Sequence, residues 1–333
     1  MKRTNTWLRS LAGLLGRVLF GVVYLWVLGA IWYSGLLPSP APRILAVGVA
    51  VAIPLAWYRL GNHRAVATWF VVLAALVMGL WQLKRPRADR AWVRELARQP
   101  AVEVQGSSVR IAGIRDCRYR TPEDFDLRYV DRVFDLDRLD SVDFLVERFS
   151  DLDGLAHTLL TFGFEGGEHV AVSVELRREE GESFHPVAGL FRQFELTYVI
   201  GTERDLIALR TNHRRSRVWL FPIRTTPEQR RSLFLSMLDR AAALQREPEF
   251  YNSLTSSCTT NIVDHVHELV PGRIPLSLRV TLPGYAGSLA YELGLIDTDL
   301  EYEEAEAAYR IDPVAQAGGD GPGFSARIRA GRP

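Results

Sequence analysis

Cysteine is nearly absent from this chain: 333 residues hold two, Cys117 and Cys258. That excludes a disulfide framework and leaves room for one bridge at most. A surplus of charge is missing as well. Lys+Arg 40 against Asp+Glu 39 leaves a formal +1, so bulk charge does not point to nucleic acid. There is no internal repeat. The third absence is local: from about Val18 to Leu83 the chain is almost free of charged residues, while everything after Lys84 is thick with Arg, Asp and Glu. Such a contrast divides the chain into a membrane-embedded part, residues 1–90, and a water-soluble part.

The apolar part reads as three spans. Residues 18–37, "VLFGVVYLWVLGAIWYSGLL", have the length of roughly 20 residues that a hydrocarbon core requires. "PSPAPR" interrupts, since proline cannot continue a helix. The second span, 44–58, is shorter and contains Pro54, and the third covers 65–83. Trp26, Trp32, Trp57, Trp69 and Trp81 lie in or near the span ends, where aromatic belts form. A cleaved signal peptide would have a shorter apolar core and no further spans behind it. Lys2, Arg3, Arg9, Arg59 and Arg64 favour a cytoplasmic N-terminus, but "KRPRADR" after the third span argues the reverse, so charge leaves orientation nearly tied.

In the soluble part, residues 91–312, "AWVRELARQP" predicts a short amphipathic helix and "VEVQGSSVRIAGIRDCRYR" a hairpin. "LAHTLLTFGF" and "EHVAVSVELRRE" flank "EGG", a second hairpin. With Gly166 at its centre, residues whose numbers sum to 332 oppose each other, so that His157 meets Glu175 and Leu159 meets Ser173 on a common face. "LTYVIG", "LIALRT" and "VWLFPI" read as strands. Thr226, Pro227 and Gln229 mark a helix start; further helices are expected at "CTTNIVDHVHELV" and "YAGSLAYELGL". The tail, 313–333, reads as irregular. Short strands with a few helices indicate an α+β domain.

"FYNSLTSSCTTNIVDHVHEL" (Phe250 to Leu269) carries the chemistry. Cys258 stands where a helix begins, and the unpaired N–H groups there favour a thiolate and face a developing oxyanion. A cysteine acyl-transfer enzyme needs such a nucleophile, a His from elsewhere as general base, and a polar residue to orient that His. His157 and Glu175 fit those two roles. Three blander readings stand beside this one: an inert buried thiol, a Cys117–Cys258 disulfide, and a metal site with His265 or His267, for which C-x6-H is not a standard spacing.

"YNSLTSSCTT", "GLAHTLLTFGF", "VSVELRREEGE" and "VIGTERDLIALRT" together resemble the Lnb-type lipoprotein N-acyltransferases, over about Trp92 to Leu295. The resemblance implies a circularly permuted papain-like (NlpC/lecithin:retinol acyltransferase-like) domain in the periplasm, with the histidine strand ahead of the cysteine helix. It implies that Cys258 takes an acyl chain from a membrane phospholipid as a thioester and passes it to the N-terminal amine of a diacylglyceryl-cysteine lipoprotein. No cofactor, metal or nucleic acid is implied. Thr259, Asn252, Asn261 and Tyr251 are candidate oxyanion or helper residues. Arg177 and Arg178, with "TNHRRSR" behind them, are candidates for phosphate headgroups. A periplasmic domain also resolves the orientation, N-terminus in and Lys84 onward out, in a bacterial inner membrane. With another acceptor the same residues would make an anchored papain-like peptidase or peptidoglycan amidase, and a non-enzymatic anchored module remains the reading of a different class.

Overall fold

The computed structural model describes residues 2–35, 39–87 and 89–333, with side chains from Ser10 onward. It consists of two compact bodies, Met1–Arg87 with Phe184–Phe194, and Ala88–Ser183 with Glu195–Pro333.

The first body holds α1 (Lys2–Trp32), α2 (Ala41–Leu60) and α3 (His63–Leu83). Ser10–Trp32, Ala41–Leu60 and His63–Leu83 are each long and apolar enough to cross a membrane. The first helix stops at Trp32 rather than running to Leu37, and residues 36 and 37 of the expected span lie outside the described residues. The second is longer than expected. Its Pro42 falls in the first turn, where a missing N–H breaks no hydrogen bond, and Pro54 sits inside the helix. Asn62 caps α3 by accepting from Ala65 N at 3.1 Å. Val27, Ile31, Ala46 and Phe70 form the small core between the helices. Phe191, from the 184–194 segment, packs its ring against Gly29, where a Cβ would collide with it, and stacks on Tyr33 at 5.7 Å.

The second body is built on a sheet of β1 (Ala101–Gln105), β2 (Ser108–Arg115), β5 (Tyr129–Asp135), β6 (Leu139–Arg148), β7 (His157–Phe164), β8 (Glu168–Arg177), β9 (Glu195–Gly201) and β10 (Arg217–Pro222); β3 (Arg118–Tyr119) and β4 (Phe125–Asp126) pair separately. The order is β1-β2-β9-β8-β7-β6-β10, with β5 also on β2. Its pairs are antiparallel except β2–β9, which meet in parallel at Arg115↔Gly201. The β7–β8 hairpin has the expected register, Leu159↔Ser173 through Phe164↔Glu168. Gly166 and Gly167 make the turn at φ of 92° and 84°, a region that disfavours a side chain.

The helices are α4 (Arg94–Ala97), α5 (Glu203–Ala208), α6 (Pro227–Arg246), α7 (Cys258–Leu269), α8 (Leu278–Thr281), α9 (Ala286–Glu292), α10 (Tyr302–Ala308), α11 (Asp312–Gly318) and α12 (Phe324–Arg327). On one sheet face α6 packs through Phe234 against Phe162, ring centroids 4.7 Å apart. There α7 bonds to β7 through Thr259 and Thr158. On the other, Leu145, Leu159, Ala171 and Val199 of the sheet meet Leu206 and Ile207 of α5, Ala315 of α11 and Phe324 of α12.

Three expectations about elements need correction. "AWVRELARQP" contributes only the single turn α4. "LIALRT" is not a strand: it is the end of α5 and a π-helical turn, Leu209–His213. Thr202 starts that helix by accepting from Asp205 N at 3.2 Å, and Asp205 is anchored by a bidentate pair with Arg115 at 2.9 Å. A short apolar run does not choose its period, and these long-range anchors chose it. The tail is not irregular. Phe324 and Ile328 are buried, and Arg329 bridges Asp143 and Glu203 with two contacts of 2.6 Å.

Candidate active site

Ser257 is the N-cap of α7, in extended conformation, and forms a capping box with Thr260; its N–H donates to Thr260 Oγ1 at 2.7 Å. Cys258 is therefore the first helical residue, where backbone donors lack intrahelical acceptors. Both cysteines are free and buried, which removes the disulfide reading. Their environments act in opposite directions. Burial, followed by the charge of Asp205, pushes the Cys117 thiol up to about 12. Burial also opposes ionisation of Cys258, but the charge of His157 and a hydrogen bond to it prevail, and this thiol falls to about 7.

His157 opens β7. Its Nε2 lies 2.7 Å from Ser173 Oγ and 3.3 Å from Glu175 Oε1, which leaves Nδ1 for the thiol. Ser173 donates in turn to Glu175 Oε1 at 2.7 Å. Burial alone would lower the histidine; Glu175, then Cys258, overcome it and raise His157 to about 9. Glu175 is held well below the usual carboxylate range against its own burial, by His157 first and Arg210 after it. The arrangement favours a thiolate–imidazolium pair at neutral pH.

A further layer fixes the carboxylate. Arg210 is 2% exposed. Its Nη2 donates to Glu175 Oε1 at 2.8 Å, its Nε lies 2.8 Å from Glu147 Oε2, and its Nη1 donates to Leu206 O at 2.6 Å. Glu147 opposes His157 directly in the β6–β7 ladder and accepts from Ser216 Oγ at 2.9 Å. Ser173, Arg210 and Glu147 escaped the sequence reading. Ser173 follows from the hairpin register, two residues before Glu175, but Arg210 comes from the π turn and no local pattern announces it.

The helper candidates separate into two groups. Tyr251 is buried beside the site, and burial followed by the charges of Cys258 and Glu175 raises its hydroxyl, keeping it a neutral donor. Thr259 Oγ1 lies 3.9 Å from Cys258 Sγ and 3.0 Å from Thr158 Oγ1, and Thr158 itself hydrogen-bonds Cys258. Asn252 and Asn261 are instead occupied in shaping the loop ahead of the nucleophile. Asn252 Oδ1 accepts from Leu254 N and Thr255 N at 2.9 and 3.1 Å. Asn261 Nδ2 donates to Ser257 O at 2.9 Å and Ser256 Oγ at 3.2 Å, and its Oδ1 accepts from Tyr198 at 3.3 Å.

Arg177 does not face a headgroup. It is 5% exposed, donates to Leu96 O at 2.9 Å and Ala97 O at 2.6 Å, and lies 4.3 Å over the Trp92 ring. Arg178 bonds Glu95 Oε1 at 3.3 Å. His265 sits between Tyr198 and Ser236 at 2.8 and 2.6 Å, and His267 is 2.8 Å from Ile274 O. Among the described residues no group of three His, Cys, Asp or Glu could hold a metal ion.

Residues 126–284 match the family model described as the Lnb N-terminal periplasmic domain. That segment contains Cys258, His157 and Glu175. No curated protein and no solved structure matches the chain.

Proposed function

Because the domain at residues 126–284 belongs to the Lnb family, we propose that this chain is a membrane-bound lipoprotein N-acyltransferase working through a Cys258 thioester. The observation that carries the reading is the buried Cys258–His157 pair backed by Glu175. The three apolar helices and the periplasmic family domain support a membrane protein with a periplasmic domain. We place it in the bacterial inner membrane with the catalytic domain outside. The histidine strand preceding the cysteine helix is compatible with a permuted papain-like fold.

The Cys258 thiolate attacks an ester carbonyl of a phospholipid. The N–H groups opening α7 face the oxyanion, and the His157 imidazolium gives its proton to the departing glycerol oxygen, releasing a lysophospholipid. The α-amine of the diacylglyceryl-cysteine then attacks the thioester. His157 takes the amine proton, and Cys258 leaves as thiolate, re-forming the ion pair. Glu175 stays ionised throughout and holds the imidazole by Nε2. A peptidase or amidase would use the same residues, but a chain that also carries three helices apolar enough to cross a membrane favours lipid substrates.

Intact mass spectrometry of the full chain incubated with phospholipid vesicles tests this. A fatty-acyl increment removed by hydroxylamine, present in the wild type and absent from Cys258→Ser, is expected. Acyl transfer retained by Cys258→Ser would end the thioester mechanism.

A further inference from the structure

The second body exposes leucines on the loops that serve its site. Leu276 is fully exposed and Leu278 is 79% exposed, and Leu282 and Tyr285 also reach the surface. Residues 274–291 hold one charged side chain, Arg279, in a chain that is 24% charged. Arg279 is neutralised by a bidentate pair with Glu292 at 2.6 and 2.7 Å. This segment touches the loop that leads into His157. Gly284 N donates to Gly154 O at 3.3 Å, and a Cβ on Gly154 would lie 3.3 Å from Leu282. That loop has its own exposed leucine, Leu152, at 66%. Leu254, on the loop that leads into Cys258, is exposed as well. Single exposed leucines are ordinary, but a group gathered on touching loops marks an interaction site.

The inner side of the same segment is apolar too. Ile274 and Val280 line a cleft of about 90 Å³ with Leu160 of β7, Thr259 and Ile262 of α7, and Leu289 of α9. Thr259 brings the cleft to the nucleophile, its Oγ1 lying 3.9 Å from Cys258 Sγ. A cavity of roughly 150 Å³ holds a benzene-sized guest, so this smaller one takes only the end of an acyl chain and leaves most of the chain outside. On the outer side of that wall stand Leu276, Leu278 and Leu282. The partner that fits a segment apolar on both sides is a lipid surface. The chain carries three helices apolar enough to cross a membrane, so a bilayer is the apolar phase it brings with it. A tail that leaves the leaflet over these leucines reaches the cleft without crossing water.

We propose that Leu152, Leu276, Leu278 and Leu282 seat the mouth of the Cys258 site on the bilayer surface, from which a phospholipid acyl chain enters the cleft. The choice of substrate rests on the acyltransferase reading. The seating is a property of the surface and is measured without acyl transfer.

The test is nitroxide labelling of the full chain in nanodiscs of phosphatidylethanolamine and phosphatidylglycerol, in a Cys258→Ser background. Cys117 is buried with its thiol at about 12, so an introduced cysteine is the one that reacts. Leu278→Cys and Leu152→Cys report the leucine surface, Val22→Cys on the exposed side of α1 reports lipid, and Val133→Cys on β5 reports water. Power saturation by oxygen and by a water-soluble nickel chelate reads the surroundings of each label. The expected result is that Leu278→Cys and Leu152→Cys collide with oxygen in preference to nickel, as Val22→Cys does. Adding Leu276→Gln to the Leu278→Cys chain should lower the docked-to-undocked ratio at least about tenfold, the effect of one leucine returned to water. Labels at 278 and 152 that meet nickel as freely as Val133→Cys would overturn the proposal. So would labels shielded from both reagents, which would mean protein cover such as a second copy of the chain. Val22→Cys in water would remove the bilayer reading and the proposal together. Because Cys258 is absent from the experiment, none of these outcomes bears on the thioester.

Discussion

The ion pair at Cys258 makes a quantitative prediction about His157→Ala. With His157 present the thiol lies at about 7, against an ordinary 9.0; that difference corresponds to about 2.7 kcal/mol of selective support for the thiolate. Removing the imidazole leaves burial as the dominant influence, so the thiol should titrate above its ordinary value. At pH 7 the thiolate fraction then drops from about one half to no more than about one in a hundred. Nucleophilicity moves the other way. A thiolate of higher pKa attacks faster, with a Brønsted slope of about 0.4–0.5, which returns roughly six- to tenfold. The net expectation is a five- to tenfold slower alkylation of Cys258 by iodoacetamide at about pH 7, with the inflection moved from near 7 to above 9 and a faster variant at still higher pH. Peptide-level mass spectrometry of pulse-labelled chain measures both rates, and Cys117, at about 12, serves as the unreactive internal reference. An inflection that stays near pH 7 in His157→Ala would refute the reasoning.

Other consequences are open to simpler measurements. The rate of thioester formation should be bell-shaped in pH, rising as Cys258 ionises through about 7 and falling as His157 loses its proton through about 9; a single rising limb through pH 10 would contradict the role of imidazolium as proton donor. Arg210→Met takes the shared cation from Glu175, which keeps His157, and from the fully buried Glu147, which keeps the more distant Arg214 at 3.7 Å. It should cost about 3–5 kcal/mol in a denaturant titration, and adding Glu147→Gln should recover part of that. Arg329→Met removes the cation that Asp143 and Glu203 share, leaving Asp143 to Arg332 at 3.1 Å, and should destabilise by about 3 kcal/mol, the low end for a broken buried pair, with earlier proteolysis of the C-terminal segment as the visible sign. Tyr198→Phe removes hydrogen bonds to Asn261 and His265 and should cost about 1–3 kcal/mol while slowing acylation through the loop that Asn261 holds.

Several parts of this protein were decided locally, and the sequence displays them. Apolar runs almost free of charge made α1, α2 and α3, each long and apolar enough to cross a membrane, where a helix satisfies its own backbone. Two glycines and an alternating pattern set the β7–β8 register, so His157, Ser173 and Glu175 share a face whatever surrounds them. Ser257 and Thr260 begin α7, which puts Cys258 at a helix N-terminus. The capping box of Thr226 and Gln229 likewise started α6 where its residues announced.

What the sequence did not display depends on groups far apart in the chain. "LIALRT" became a helix and a π turn because Asp205 pairs with Arg115, 90 residues earlier, and that turn delivers Arg210 to Glu175. Arg177 looks available for a headgroup as a charged residue on a strand, yet carbonyls at Leu96 and Ala97 and the Trp92 ring enclose it. The tail has the composition of a linker, yet Arg329 reaches Asp143, 186 residues away, and that pairing orders it. Local patterns fix helix starts, turns and strand parity, since those energies lie within a few residues. Which buried charges find one another, and hence how a thiol comes to ionise near neutral pH, was decided only when the sheet and its helices closed around them.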